Sequence, residues 1–153
     1  MRLLGVVSSG LGRAHVFMSQ NHYQNQFKLI LGSGAWPGTL NVDLDTQSLE
    51  DYFGLRILSG LEEGEFHESI EFSKINGFER DGKSFGGATA FKGTIAKQAG
   101  QEFECAVLIP DLTRHTSTAE VISKSFLREI LPCEDGEIVE INLNSVDAAT
   151  LSQ

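Results

Sequence analysis

The stretch Trp36-Pro37-Gly38-Thr39-Leu40-Asn41-Val42-Asp43-Leu44 decides the fold prediction, because it changes from turn residues to strand residues within a few positions. Pro37 and Gly38 are typical of a turn. Apolar and polar residues then alternate from Leu40 to Leu44, which is the period-two pattern of a half-buried strand. The stretch therefore predicts a strand with one face in a core and a second, polar face.

Thr39 and Asn41 lie two positions apart, so they share the polar face of this strand. A neutral hydroxyl beside a neutral amide can hold a hydrated Mg2+ whose charge is balanced mainly by substrate phosphates, because Mg2+ often takes few protein ligands. A polar face in contact with solvent has the same pattern. The two residues alone leave both interpretations open.

Upstream of this strand, the run from Leu3 to Val7 predicts a first strand that ends in the loop Ser8-Ser9-Gly10-Leu11-Gly12. The two glycines allow successive backbone N–H groups to turn toward a phosphate, although an ordinary turn has the same composition. The segment from His15 to Met18 predicts a second short strand. A helix is predicted from Asn21, and Gly32 lies where a left-handed C-cap would end it.

Downstream, the pattern is mainly that of short strands. Asp81-Gly82 predicts a hairpin turn between two flanking strands. Further strands are predicted over residues 88–96, 104–109, 120–122 and 137–143. A single helical turn is predicted from Ser48 to Phe53, and the acidic run Glu62, Glu63 and Glu65 is either a solvated surface or a cover over a site.

A second candidate phosphate contact lies near the end of the chain. Ser123 is predicted to cap a helical turn through Leu127 and Arg128, whose N-terminal N–H groups would be available to an anion. Many short strands with small helical insertions and no alternating strand–helix rhythm indicate a mainly β protein that closes as a barrel. One domain is expected over residues 1–143, followed by a tail over residues 144–153.

The composition limits the classes of function. The net charge of -9, from 12 basic and 21 acidic residues, repels polyanions and argues against nucleic-acid binding. Cys105 and Cys133 have no CxxC or zinc-ligand spacing and are expected to be reduced. Because we find no signal peptide and no membrane-spanning stretch in the sequence, a cytoplasmic protein without membrane partners is expected.

In their order and spacing, these motifs resemble the archaeal-type CTP-dependent riboflavin kinases. The resemblance covers Leu4 to about Leu143, and its marks are Val7 to Gly12, Phe27 to Gly32, Pro37 to Asn41, Phe78, Gly82-Lys83, Phe85-Gly86, Ile109-Pro110, Thr113 to Glu120, Leu127 to Glu129 and Asp135-Gly136. It implies a small closed six-stranded cradle-loop β-barrel with one or two short helices. It also implies Mg2+ as cofactor, and riboflavin/FMN and CTP/CDP as substrates and products.

The resemblance implies a role for individual residues as well. Nucleotide contacts fall on Gly10, Leu11, Gly12, Arg13, Ala14 and His15, and on Ser125, Phe126, Leu127 and Arg128. The Mg2+ ligands fall on Thr39 and Asn41, and flavin contacts fall on Thr113 and Glu120. No residue is assigned as the general base.

The chain departs from the family pattern in the glycine-rich loop, where Arg13 and Ala14 replace a glutamate and a glycine. Ala14 would shift the loop if the glycine's backbone has a positive φ, whereas Arg13 can add a phosphate contact. Two alternatives to a CTP-dependent kinase therefore stay open. One is a non-catalytic barrel that binds a flavin or a nucleotide, and the other is the same kinase with a different nucleotide donor.

Overall fold

The computed structural model describes residues 1–10 and 14–146, with backbone alone for residues 15 and 16. Within this part the chain forms nine strands. They are β1 (Arg2–Ser8), β2 (Leu40–Leu44), β3 (Phe72–Ile75), β4 (Phe78–Arg80), β5 (Lys83–Phe85), β6 (Ala88–Lys97), β7 (Phe103–Pro110), β8 (Thr118–Ile122) and β9 (Ile138–Leu143). Residues 147–153 of the predicted tail lie outside the described residues.

Six of these strands close into an antiparallel barrel in the order β6-β7-β8-β2-β1-β9, with β9 pairing back onto β6. Closure depends on β6, whose first half pairs with β3 and whose second half pairs with β9. Strands β4 and β5 form a separate hairpin around Asp81 and Gly82, as the sequence predicted. The predicted closed, mainly β barrel is therefore confirmed.

Four helices accompany the strands in the described residues: α1 (Ala14–Met18), α2 (Asn21–Leu31), α3 (Thr46–Leu58) and α4 (Leu127–Ile130). The strand predicted from His15 to Met18 is wrong, because this segment is the helix α1. Helical spacing brings Ala14, Phe17 and Met18 to one pocket, which a short apolar run does not reveal in sequence. The predicted helical turn near Ser48 is the 13-residue helix α3, capped by Asp45.

Two apolar clusters hold the fold together. The first fills the barrel and includes Phe91, Val107 and Ile141, with Tyr52 and Leu55 of α3 packed against it. The second lies outside the barrel, where α2 covers the small side chains that β6 and β7 turn outward; it includes Phe27, Ile30, Ala88, Ala90, Ala106 and Leu108. Both strands are therefore buried on both faces, which explains their continuous runs of apolar residues.

Candidate functional site

A large, mostly apolar cavity lies where α1 and α2 cover the barrel. We call it the apolar pocket; its volume is about 470 Å³. It is lined by Ala14, Phe17, Met18, Tyr23, Phe27, Thr39, Ile75, Ser84, Phe85, Gly86, Gly87, Ala88, Leu108, Pro110, Leu112 and Glu120. Cavities of this size and composition, with a few polar groups at defined positions, are typical of binding sites for small organic molecules.

A second, smaller cavity of about 60 Å³ lies between β2 and α4. We call it the small pocket; it is lined by Trp36, Gly38, Thr39, Leu40, Val121, Ser123, Ser125, Phe126, Leu127 and Arg128. The rings of Trp36 and Phe126 stack at one side of it, with centroids 4.9 Å apart and planes inclined by 12°. All four residues from Ser125 to Arg128 that were predicted to contact a nucleotide therefore line one cavity.

Thr39 lines both pockets and is the residue at which they meet. Its hydroxyl donates a hydrogen bond to Asn41 Oδ1 over 3.2 Å. A hydroxyl oxygen and an amide oxygen are both ligands that Mg2+ accepts, so the chemistry of this pair fits the predicted ion. Uncharged oxygen ligands also suit a metal ion that keeps several of its water ligands and binds phosphate oxygens.

Asn41 occupies a central position because β2 lies between β1 and β8. It is paired with Ser8 on one side and with Glu120 on the other. The glycine-rich loop begins directly against its amide, since a Cβ added to Gly10 would lie 2.5 Å from Asn41 Nδ2. Glycine at this position therefore lets the loop approach the predicted metal ligands.

Glu120 is the acidic group among the residues of the apolar pocket. Burial raises the pKa of its carboxyl group, and nearby His115 partly offsets this by lowering it. Tyr23 is a second polar group in the wall, and its hydroxyl donates to Gly86 O over 2.6 Å. Burial also raises the pKa of the Tyr23 hydroxyl, which therefore remains a donor at neutral pH.

Thr113, the other predicted flavin contact, is not among the residues that line the apolar pocket. Its Oγ1 accepts a hydrogen bond from the backbone N–H of His115 over 3.1 Å, so it shapes the loop after β7. Its neighbour Leu112 lines the pocket instead. The flavin role of Thr113 remains a prediction, and Leu112 is the residue of this loop that lines the apolar pocket.

Arg128 connects the small pocket to the start of the glycine-rich loop. Its Nη2 donates to Ser8 O over 3.2 Å and to Asp135 Oδ1 over 2.7 Å, while the Ser9 hydroxyl donates to Asp135 Oδ2. The hydrogen bond from Ser9, followed by that from Arg128, lowers the pKa of the Asp135 carboxyl group. These contacts fix the loop where it leaves β1.

The predicted cap of α4 is wrong. Phe126 is the N-cap residue, and it makes no side-chain cap bond. The hydroxyl of Ser123 is buried and donates to Glu104 O over 3.0 Å, which places it in the wall of the barrel. Ser123 therefore stabilises the approach to α4 without capping it.

The remaining predicted nucleotide contacts are only partly described. Leu11, Gly12 and Arg13 lie outside the described residues, and so does the side chain of His15. Ala14 begins α1 and lines the apolar pocket rather than the small one. Its methyl group therefore contributes to the wall of the apolar pocket.

Sequence reasoning missed residues whose role depends on the tertiary fold. The sequence places Tyr23 and Phe27 on one face of a predicted helix. That face forms a wall of the pocket because α2 packs on the barrel, which the sequence does not show.

Among the described residues there is no group of three or more His, Cys, Asp or Glu arranged to hold a metal ion. Within the same residues, none of the helices is both long and apolar enough to cross a membrane.

Comparisons with known proteins give a consistent result. A family model labelled CTP-dep_RFKase, and described as domain of unknown function DUF120, matches residues 7–143. A riboflavin kinase of Haloquadratum walsbyi is 34% identical over 145 residues, which cover 94% of this chain and 56% of that protein. A riboflavin kinase of Pyrobaculum aerophilum is 35% identical over 144 residues, covering 94% of this chain and 60% of the relative.

Some of the relatives are longer than this chain. The chain spans 56% of the length of the riboflavin kinases of Haloquadratum walsbyi and Thermoplasma acidophilum. A riboflavin kinase of Methanococcus vannielii has a similar length, since a match at 32% identity over 142 residues covers 92% of this chain and 96% of that protein. The barrel described above is therefore the part shared with all of these proteins.

Proposed function

The chain belongs to the CTP-dependent riboflavin kinase domain family, and from this premise we propose that it transfers the γ-phosphoryl group of CTP to the ribityl 5′-hydroxyl of riboflavin. The products are FMN and CDP. The observation that carries the proposal is the position of Thr39, which lines both the apolar pocket and the small pocket. A transferred group must pass between donor and acceptor, so the meeting point of the two pockets is the expected place of reaction.

The apolar pocket is the proposed riboflavin site. Its volume of about 470 Å³ and its aromatic lining suit a planar ring system, and the ribityl chain would extend toward Thr39. Glu120, Ser84 and Thr39 are polar groups in the pocket wall, whereas the hydroxyl proton of Tyr23 is already donated to Gly86 O. We propose that Glu120 accepts a hydrogen bond from the flavin, and we do not assign it as the base.

The small pocket and the glycine-rich loop form the proposed CTP site. Residues 125–128 would contact the nucleotide from one side, and backbone N–H groups of the loop from Gly10 onward would bind the phosphates. Arg128 supports this arrangement by holding Ser8 and, through Asp135, Ser9. Because phosphoryl transfer depends mainly on alignment and on neutralising phosphate oxygens, such positioning is the largest contribution expected from the protein.

Thr39 and Asn41 are the residues proposed to hold Mg2+. Bound there, the ion would neutralise charge on the phosphate oxygens of the nucleotide. The protein's own contribution is to keep the two oxygens 3.2 Å apart, with Asn41 on β2 between β1 and β8 and Thr39 directly before that strand. A strand paired on both sides holds Asn41 accurately, which favours alignment of the phosphates for attack by the 5′-hydroxyl.

The test is chromatography of purified protein incubated with riboflavin, Mg2+ and each of CTP, UTP, ATP and GTP. Formation of FMN and CDP with CTP alone is the expected result. FMN formed with another nucleotide would support the proposed kinase activity but show that the phosphoryl donor is a different nucleotide. A protein that binds riboflavin but forms no FMN with any nucleotide would instead be the flavin-binding barrel that the Arg13 and Ala14 departures allow.

A further inference from the structure

The loop between β7 and β8, residues 111–117, forms one wall of the apolar pocket. Leu112 of this loop lines the pocket and is 83% exposed. Backbone hydrogen bonds hold the two ends of the loop, from Asp111 N to Gly87 O and from Leu44 N to Ser117 O, both at 2.9 Å. Inside the loop, Thr113 N donates to Pro110 O over 3.0 Å and His115 N donates to Thr113 Oγ1 over 3.1 Å. Both bonds join residues that are close in sequence, so a bond from His115 to another element is what ties the centre of the loop to the rest of the barrel.

Arg56 of α3 provides that contact. Its Nη1 donates to His115 O over 2.8 Å, and its Nε and Nη2 donate to Glu62 Oε1 over 3.2 and 2.9 Å. Arg56 is only 9% exposed, so its charge is largely removed from water and depends on these partners. A buried guanidinium with defined hydrogen bonds has a fixed position, in contrast to a surface arginine.

The same helix packs a buried tyrosine into the core of the barrel. Tyr52 lies one turn before Arg56 on α3 and is 1% exposed. The pKa of its hydroxyl is raised to about 12, first by burial and then by the charge of Glu120, while Arg56 lowers it. Helix α3 therefore carries, one turn apart, a buried tyrosine and the arginine that bonds to the loop.

We propose that Arg56 is a positioning residue for riboflavin, which sets the loop of residues 111–117 against the apolar pocket through its bond to His115 and is itself held by Glu62. This rests on the proposed function, in which the apolar pocket binds riboflavin. The proposal also gives the residues of the acidic run different roles. Glu62 holds Arg56, whereas Glu63 and Glu65 are exposed. The effect of Arg56 is specific to the flavin side and does not extend to the nucleotide.

The experiment measures KM for riboflavin and for CTP, together with the dissociation constant of riboflavin from quenching of flavin fluorescence, in wild type, Arg56→Met and Arg56→Lys. Arg56→Met keeps the aliphatic stem but removes all three hydrogen bonds. We expect the riboflavin KM and dissociation constant to rise roughly tenfold, with the CTP KM changed less than about twofold. Arg56→Lys retains a charge that reaches only one partner and should show a smaller rise.

Arg2→Met is the matched control, because Arg2 forms an exposed ion pair with Glu140 on the barrel wall. It should leave all three constants unchanged. If Arg56→Met does not fold, Glu62→Gln replaces it; that variant should raise the riboflavin constants about threefold. Melting temperatures of all variants identify a general loss of stability.

Two results would overturn the proposal. One is a folded Arg56→Met protein with unchanged riboflavin affinity, and the other is an equal rise of both KM values. Failure of the proposed function is distinguishable, because it appears as the absence of FMN in the wild type. The direct binding measurement then still compares wild type with Arg56→Met, and a wild type that binds no riboflavin removes both the function and this inference.

Discussion

The apolar pocket and the small pocket share Thr39 but differ in how they are built. The apolar pocket measures about 470 Å³ and is walled by helices α1 and α2, whereas the small pocket measures about 60 Å³ and lies against β2 and α4. The volume of the first lies in the range of pockets that bind small organic molecules. The second is too small to enclose a whole nucleotide.

This difference indicates two modes of recognition in one small barrel. On the flavin side, affinity would come from apolar burial with a few orienting polar groups. On the nucleotide side, it would come from backbone N–H groups and from Arg128, that is, from fixed dipoles and charge. Substitutions should therefore separate the two sides, and those at the shared centre should affect both.

The largest effect on turnover is expected at Thr39, where the two pockets meet, and at its neighbour Asn41. The double variant Thr39→Ala, Asn41→Ala removes both proposed ligands and should lower turnover by at least about 10³-fold while the barrel stays folded. The matched control is Asp43→Asn with Thr118→Ala, which removes an exposed hydroxyl–carboxylate contact on the same strand pair. Full activity of the Thr39/Asn41 variant would eliminate the metal assignment.

Gly10→Ala tests the contact between the loop and the centre. The added Cβ would lie 2.5 Å from Asn41 Nδ2 and would displace that side chain, so turnover should fall roughly 10- to 100-fold. Gly5→Ala is the contrasting variant, because its Cβ would meet the backbone oxygen of Asp43 at 2.3 Å in the barrel wall. That change should cost about 1–3 kcal/mol of stability, measured by denaturant unfolding. Equal loss of stability in the two variants would contradict the assignment of Gly10 to the site.

Arg128→Met tests whether the nucleotide side is independent of the flavin side. It removes the bonds to Ser8 and Asp135, and the KM for CTP should rise about tenfold. The KM for riboflavin should stay within about twofold, because no riboflavin contact is proposed for Arg128. Steady-state kinetics with each substrate varied in turn checks this. A rise in the riboflavin KM of the same size would show that the two sides are coupled.

Glu120→Gln should have the smallest effect and a dependence on pH. Because the folded-state pKa of Glu120 is raised, ionisation opposes folding at pH values above it, and this cost disappears below the unfolded-state pKa of about 4.3. The variant should therefore melt roughly 2 °C higher than wild type at pH 8 and at the same temperature at pH 4. Its affinity for riboflavin should fall about threefold. An equal gain in melting temperature at pH 8 and pH 4 would show that the gain does not come from the ionisation of Glu120.

The barrel was predictable because its strands carry their own signals. Alternation from Leu40 to Leu44 and the turn at Asp81-Gly82 each depend on neighbours in sequence, and both predictions are confirmed. Helix α1 was not predictable in this way, since a five-residue segment with apolar positions satisfies either periodicity. The same limit applies to α3, whose buried positions include the polar Ser48 and Arg56.

The proximity of Thr39 and Asn41 was predictable because it depends on local spacing, whereas their role as metal ligands stays a prediction. The Thr39/Asn41 pair follows from a period of two, and the structure brings its oxygens within 3.2 Å. The role of Arg56 was not predictable from sequence, because its two partners lie in other parts of the chain. Glu62 lies in the turn after α3, and His115 lies in a loop that is distant in sequence. A buried arginine in a helix gives no sequence signal until the packing of that helix is known.

Closure of the barrel by its first and last strands has a consequence for synthesis on the ribosome. Strand β1 lies between β2 and β9, and its bond from Arg2 to Glu140 spans 138 positions of sequence. At about 5–20 residues per second, the ribosome needs roughly 7 to 28 s to make the partner that β1 requires. During that time one edge of β1 is unpaired, and such an edge exposes the nascent chain to aggregation until β9 has been made.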